Sequence, residues 1–75
     1  MEIDSTTARQ AIGVILAGIQ IRLEEATRIA RAATACAQAG SVGEGVTLAL
    51  DIEQGVYEAG RLLDAASLLK RLTDT

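Results

Sequence analysis

Apolar side chains recur along the first half of the chain at alternating spacings of four and three residues. The positions are Ile12, Leu16, Ile19, Leu23, Ala26, Ala30, Ala33 and Ala37. This seven-residue repeat is typical of α-helices that pack side by side. The pattern therefore predicts a first helix at about residues 5–39, with Asp4 or Ser5 capping its free backbone N–H groups.

A second apolar repeat follows a glycine-rich break. Gly40 suits the left-handed conformation that ends many helices, and Ser41 with Glu44 has the spacing of a capping box. The later apolar positions are Leu48, Ile52, Val56, Ala59, Leu62, Leu63, Ala66 and Leu69. We therefore predict a loop at about residues 40–44 and a second helix at about residues 45–73.

A short connection between two long helices places them antiparallel and side by side. Residues 1–75 are thus expected to form one all-α domain, a two-helix antiparallel hairpin. In this arrangement Arg22, Arg28 and Arg31 face the part of the second helix that carries most of its acidic residues. Such pairs of opposite charge set the orientation of the helices more than their stability.

The apolar stripe of each helix is wider than one neighbouring helix can cover. Ile15, Ile29 and Cys36 widen the stripe of the first helix, as in helices of globular bundles. A chain of 75 residues has little surface to bury, and one cysteine without histidine provides neither an internal disulfide nor a zinc site. We therefore expect the hairpin to form a homodimeric four-helix bundle or a higher oligomer.

Glycines inside the predicted helices indicate places where the backbones approach each other. Gly13, Gly18, Gly55 and Gly60 each cost about 1 kcal/mol of helix stability relative to alanine. We interpret them as close helix crossings, with a kink or a small ligand cavity as the alternative.

Composition agrees with an all-α chain, and charge restricts its partners. Proline, phenylalanine, tryptophan and histidine are absent, and the formal net charge is −3. This charge argues against general attraction to nucleic acid or to an anionic membrane. The apolar run at residues 11–21 is too short to span a bilayer, and the acidic first residues do not resemble a signal peptide. With a lone thiol, these features predict a cytoplasmic protein.

Residues that could carry chemistry are few. No histidine is present to activate Cys36 or to complete a metal site with the doublet Glu24 and Glu25. Cys36 is expected to fill space as a small apolar side chain. We therefore expect no catalytic activity, no cofactor and no metal.

One apolar surface of the first helix lies away from the main stripe. It comprises Val14, Ala17, Gly18 and Ile21, and exposed apolar patches usually mark interfaces. We expect these residues to bind a macromolecular partner, such as a protein, by helix-in-groove recognition. Tyr57 is expected either to add a contact to this partner or to cover the edge of the dimer core.

Four arginines suggest an alternative function. Arg9, Arg22, Arg28 and Arg31 belong to the predicted first helix, and arginines along a helical hairpin dimer can bind the phosphates of structured RNA. In length, number of helices and heptad spacing the chain resembles the Rop-type RNA-binding hairpins, without a shared residue-level motif. The resemblance implies an RNA-binding dimer as the alternative to a protein-binding one.

Overall fold

The computed structural model describes residues 4–74 as a helical hairpin. Helix α1 spans Ser5–Gln38, α2 spans Val42–Ala49 and α3 spans Ile52–Thr73. Helix α1 is one arm of the hairpin, and α2 and α3 together form the other, bent arm. The described residues contain no strand, so the predicted all-α antiparallel hairpin is confirmed.

The first helix begins at the predicted cap. The carboxylate of Asp4 accepts hydrogen bonds from the backbone N–H and the hydroxyl of Thr7, both at 3.0 Å. Such a cap satisfies one of the backbone N–H groups that have no acceptor inside the helix. The start of α1 is therefore fixed by a side chain that the sequence pattern identifies.

The connection between the arms is shorter than predicted. Gly40 has a φ of 95°, as expected for the left-handed residue after a helix. The N–H of Gly40 donates to the carbonyl of Ala37 at 3.0 Å, and the N–H of Ser41 donates to the carbonyl of Cys36 at 2.9 Å. This pair of bonds is the Schellman motif, which ends α1. The side chain of Ser41 makes no capping hydrogen bond, so the predicted capping box with Glu44 is wrong.

The second arm begins at Val42 and is interrupted between α2 and α3, where one continuous helix was predicted. The N–H of Asp51 donates to the carbonyl of Leu48, and that of Glu53 to the carbonyl of Leu50, both at 3.2 Å. These bonds span three residues rather than four, which tightens the helix locally as in a 3₁₀ turn. The arm therefore bends at this point.

The backbones of the two arms approach each other closely near the loop. Gly45 is buried, and a Cβ atom added there would lie 2.7 Å from the carbonyl oxygen of Ala33 and 3.5 Å from the backbone nitrogen of Ala37. Only a hydrogen atom fits at this distance. The small residues on α1 thus allow α2 to lie directly against it.

The four mid-helix glycines divide into two pairs. A Cβ added at Gly18 would lie 3.3 Å from a side-chain atom of the other arm, and one added at Gly55 would lie 3.7 Å from a backbone oxygen of the other arm. These two positions agree with the predicted close crossings. At Gly13 and Gly60 an added Cβ would meet nothing within 4 Å, so the two arms of the hairpin do not cross closely at these positions.

The buried interior of the hairpin contains only small residues. Among the described residues the buried ones are Ala8, Gly45, Ala59 and Ala66, and no large side chain is fully buried. The radius of gyration is 17.1 Å, whereas a compact chain of 75 residues has about 11 Å. The accessible surface of 5611 Å² exceeds by about 1,200 Å² that of a compact monomer of 7.8 kDa. A single hairpin therefore lacks the core that normally stabilises a domain.

Candidate interaction surface

The heptad stripe of α1 is divided between two faces of the hairpin. One set of positions is half-buried against the other arm: Ile12, Ile19, Ala26 and Ala33. The alternate set is exposed at Leu16, Leu23 and Ala30, and its last member, Ala37, is half-buried near the loop. The second arm therefore covers one side of the stripe and leaves its other side open, as the breadth of the stripe predicts.

Four large apolar side chains from both arms form one open face, which we call the leucine face. The exposed fractions of its members are 52% for Leu16, 46% for Leu23, 51% for Val56 and 57% for Leu63. The two members of each arm are seven residues apart in the sequence. Seven residues are about two helical turns, so the two members lie on the same side of their helix.

The register between the arms places the members of the leucine face at two shared heights along the hairpin. Gly18 lies against Leu62, and Nε of Arg22 lies 3.5 Å from Oε1 of Glu58. In this register Leu16 lies at the height of Leu63. Leu23 lies at the height of Val56. The four side chains therefore form two adjacent pairs.

A shallow groove shows that both arms contribute to this one surface. Its lining residues are Ile12, Leu16, Leu63, Ala66, Ser67 and Lys70. Most of these side chains are apolar, and the single charged one stands at the end of the groove. The leucine face thus continues across the contact between α1 and α3.

The leucine face is uncharged at its centre and positive at one end. The seven-residue spacing brings Arg9 and Lys70 to the end near the termini and Ala30 to the end near the loop. The contact of Gly45 with Ala33 places Ala49, the last residue of α2, at about the height of Ala30. Lys70 donates to the carboxylate of Asp74 at 2.7 Å, and this hydrogen bond, with the attraction between the two charges, raises the pKa of Lys70. Within the described residues Arg9 makes no ion pair. The face therefore has one end with long cationic side chains and one with methyl groups.

The predicted partner-binding residues lie elsewhere on the hairpin. Val14 and Ile21 are 73% and 61% exposed, on the side of α1 away from the leucine face, and Ala17 is exposed between them. Gly18 is half-buried against the other arm, and Tyr57 is 62% exposed on α3. The structure thus brings three of these residues together as a strip and places Gly18 at the contact between the arms.

On the side opposite the leucine face, the line of contact between α1 and α3, which we call the seam, is polar. Arg22 faces Glu58 on the second arm, as predicted. The Nη1 of Arg22 donates to the carbonyl of Gly18 at 3.2 Å. Its buried Nε makes no hydrogen bond. Arg28 was expected to face the same arm, but it pairs with Glu25 on its own helix, and that hydrogen bond is the main reason that the pKa of Arg28 is raised. Arg31, the third arginine expected to face that arm, is exposed and forms no ion pair within the described residues, so the prediction holds for Arg22 alone.

The four arginines of the RNA-binding alternative do not share one surface. Arg9 stands at the end of the leucine face, Arg22 is half-buried at the seam, Arg28 is held by Glu25, and Arg31 is exposed. Successive steps of thirteen, six and three residues turn the helix by roughly 220°, 240° and 300°. Relative to Arg9, Arg31 and Arg28 are therefore turned by only about 40° and 100°, whereas Arg22 points to another side of α1.

The remaining candidate chemistry is sparse. Cys36 is a free, half-buried thiol on α1. Among residues 4–74 no three His, Cys, Asp or Glu side chains are close enough together to hold a metal ion. None of the described helices is long and apolar enough to cross a membrane.

In comparisons with protein-family models, curated proteins and solved structures, the chain has no match.

Proposed function

We propose that this chain is a non-catalytic interaction protein that self-associates and binds a macromolecular partner through an apolar helix face. The leucine face carries the proposal. It groups four large apolar side chains, each about half exposed, on a surface with no charge at its centre. Contiguous apolar surface of this kind marks interaction sites in soluble proteins, because water disfavours it.

The free energy available from the leucine face is of the order that association requires. Full burial of a leucine or valine contributes about 1.5–3 kcal/mol, so covering a half-exposed side chain contributes about 1 kcal/mol. Two copies would thus gain about 8 kcal/mol from their leucine faces, against a cost of association of about 4–15 kcal/mol. The half-buried isoleucines beside this face, Ile12 and Ile19, add to the gain when they are covered. We therefore expect an association that depends on protein concentration.

The second part of the proposal concerns the strip of Val14, Ala17 and Ile21. These residues have the spacing i, i+3 and i+7 of an amphipathic helix that enters an apolar groove. The strip faces away from the leucine face, so self-association through the leucine face leaves it accessible. We propose that it contacts a partner protein, with Tyr57 as a further contact.

A matched pair of substitutions tests this division of roles. Leu23→Glu and Ile21→Glu each place a carboxylate at an exposed apolar position of the same helix, two residues apart. Burying an unpaired carboxylate costs several kcal/mol, so Leu23→Glu should give the mass of a single chain. Ile21→Glu should keep the self-associated mass and lose partner binding. Light scattering after size exclusion reports the masses.

Two results would overturn the proposal. A wild-type mass equal to the chain mass of 7.8 kDa at all concentrations would exclude self-association. Equal masses for the two variants would show that the leucine face has no special role in it.

A further inference from the structure

We propose that the leucine face is covered by a second copy of this chain turned end for end, so that the loop end of each hairpin lies over the terminal end of the other. This inference rests on the proposed self-association and adds the arrangement of the two copies. It follows from the size of the face, the lengths of its side chains and its charge.

The dimensions of the face fit a second hairpin rather than a single helix. The chain is 56 Å long, and two helices of about 10 Å diameter side by side give a projected face of about 1,000 Å². A stable complex buries about 800 Å² on each partner. A single docked helix would cover only about half of the face. A hairpin of the same length covers all of it, and the area covered is close to the excess surface of about 1,200 Å².

Two symmetric arrangements would bring the leucine faces together. With the termini of both copies at the same end, α1 packs on the α3 helix of the second copy, and residues at equal heights meet. With the copies end for end, α1 packs on α1 and α3 packs on α3, in opposite directions. The two-fold axis then passes between the heights of Leu16 and Leu23. Leu16 of each copy therefore meets Leu23 of the other copy.

The lengths of the side chains favour the end-for-end arrangement. With the termini together, Arg9 would meet Lys70 at one end, while Ala30 would meet Ala49 at the other. Long side chains would then face each other at one end and methyl groups at the other, which leaves uneven gaps between the helices. End for end, Arg9 meets Ala30 and Lys70 meets Ala49, so long side chains always face short ones. Alternation of large and small residues is what allows helices to pack at constant spacing.

The distribution of charge favours the same arrangement. With the termini together, both copies of Arg9 and Lys70 would gather at one end of the bundle. Asp74 offsets the charge of Lys70, but Arg9 has no ion pair within the described residues, so like charges would be left close together. The end-for-end arrangement separates the two sets by most of the length of the bundle. Like charges held close together destabilise an interface, whereas separated ones do not.

Distances between spin labels distinguish the two arrangements directly. The label is attached to Gln38→Cys, at the end of α1, in a chain that also carries Cys36→Ala. End for end, the two labelled positions are separated by the equivalent of 37 residues, or about 55 Å at 1.5 Å per residue. With the termini together they lie within roughly 25 Å, because neighbouring helix axes are 8–10 Å apart. A control label at Gln20→Cys lies near the two-fold axis and should give a short distance.

Each outcome of the measurement decides the question. A long distance at residue 38 together with a short one at residue 20 supports the end-for-end dimer. A short distance at residue 38 overturns this arrangement but leaves self-association intact. Long distances at both positions show that another face is used, which also overturns the inference. A monomeric mass with no distance at either position overturns both the arrangement and the proposed self-association.

A variant with opposite charges introduced at Leu16 and Leu23 provides a second and independent test of the arrangement. Leu23→Glu alone should weaken association by at least about 100-fold, since it leaves buried carboxylates unpaired. Adding Leu16→Lys should recover at least about tenfold, because end for end each lysine meets a glutamate of the second copy. Within one chain the two positions are seven residues, about 10 Å, apart and do not pair. No recovery would contradict the arrangement.

Discussion

The contact between Gly45 and α1 gives the sharpest test of the hairpin itself. A Cβ atom at this position would lie 2.7 Å from the carbonyl oxygen of Ala33. That oxygen belongs to the backbone of a helix, so it cannot move aside as the end of a flexible side chain could. Gly45→Ala must therefore push α2 away from α1 or distort one of the two helices.

The size of the effect follows from two opposing contributions. Forcing an extra methyl group into a tight contact costs about 1–3 kcal/mol. Replacing glycine by alanine inside a helix returns up to about 1 kcal/mol. The expected result for Gly45→Ala is a net loss of up to about 2 kcal/mol in the free energy of unfolding. Gly43→Ala is the matched control, because an added Cβ there meets nothing within 4 Å and only the gain in helix propensity remains.

The two variants are compared by urea unfolding followed by circular dichroism, at one protein concentration because association contributes to stability. We expect Gly45→Ala to be less stable than Gly43→Ala by about 1–3 kcal/mol. If Gly45→Ala proves as stable as Gly43→Ala or more so, the close approach of α2 to α1 does not exist and the reasoning about the loop end fails.

Three further predictions follow from individual contacts. Asp4→Ala should lower the free energy of unfolding by about 0.5–2 kcal/mol because it removes the cap of α1, whereas Ser5→Ala should change it little in the same urea titration. Glu58→Gln should cost less than about 1 kcal/mol, since both partners of its ion pair are more than a third exposed and water screens the attraction. Asp74→Asn should lower the pKa of Lys70 towards its ordinary value, which NMR titration of the lysine side chain would detect. Because the interaction with Asp74 raises this pKa, its contribution to stability is present at neutral pH and is lost only as the pH rises through the folded-state pKa of the lysine.

The hairpin could be predicted from the sequence because its helices and its turn depend on residues that are close together in the chain. Heptad spacing identified both arms, and the cap at Asp4 and the left-handed Gly40 follow from the chemistry of single residues. The bend after α2 could not be predicted in this way, since Leu50 and Asp51 are neither proline nor glycine. The capping box at Ser41 was wrong because the N–H of Ser41, which a capping box would pair with Glu44, already donates to the carbonyl of Cys36 in the Schellman motif.

Only the structure shows which residues of the apolar stripe of α1 face the other arm and which are exposed. Ile12 and Leu16 belong to the same heptad repeat, and nothing in their types tells which one faces the other arm. Only the register set by contacts between the arms places Leu16 beside Leu63 on the open face. The seven-residue spacing of Val56 and Leu63 is visible in the sequence. Without the register between the arms, however, it does not show that these residues lie beside Leu16 and Leu23.

The central claim is that one hairpin supplies only half of a core and that a second hairpin supplies the rest. The most direct test is the midpoint of thermal unfolding at two protein concentrations that differ 100-fold. For a dimer the added stability is about 2.7 kcal/mol, which corresponds to a rise of about 5–10 °C for two chains of 75 residues. We expect a rise of this size at the higher concentration. An identical midpoint at both concentrations would contradict the claim, because it would mean that the hairpin unfolds as an independent monomer.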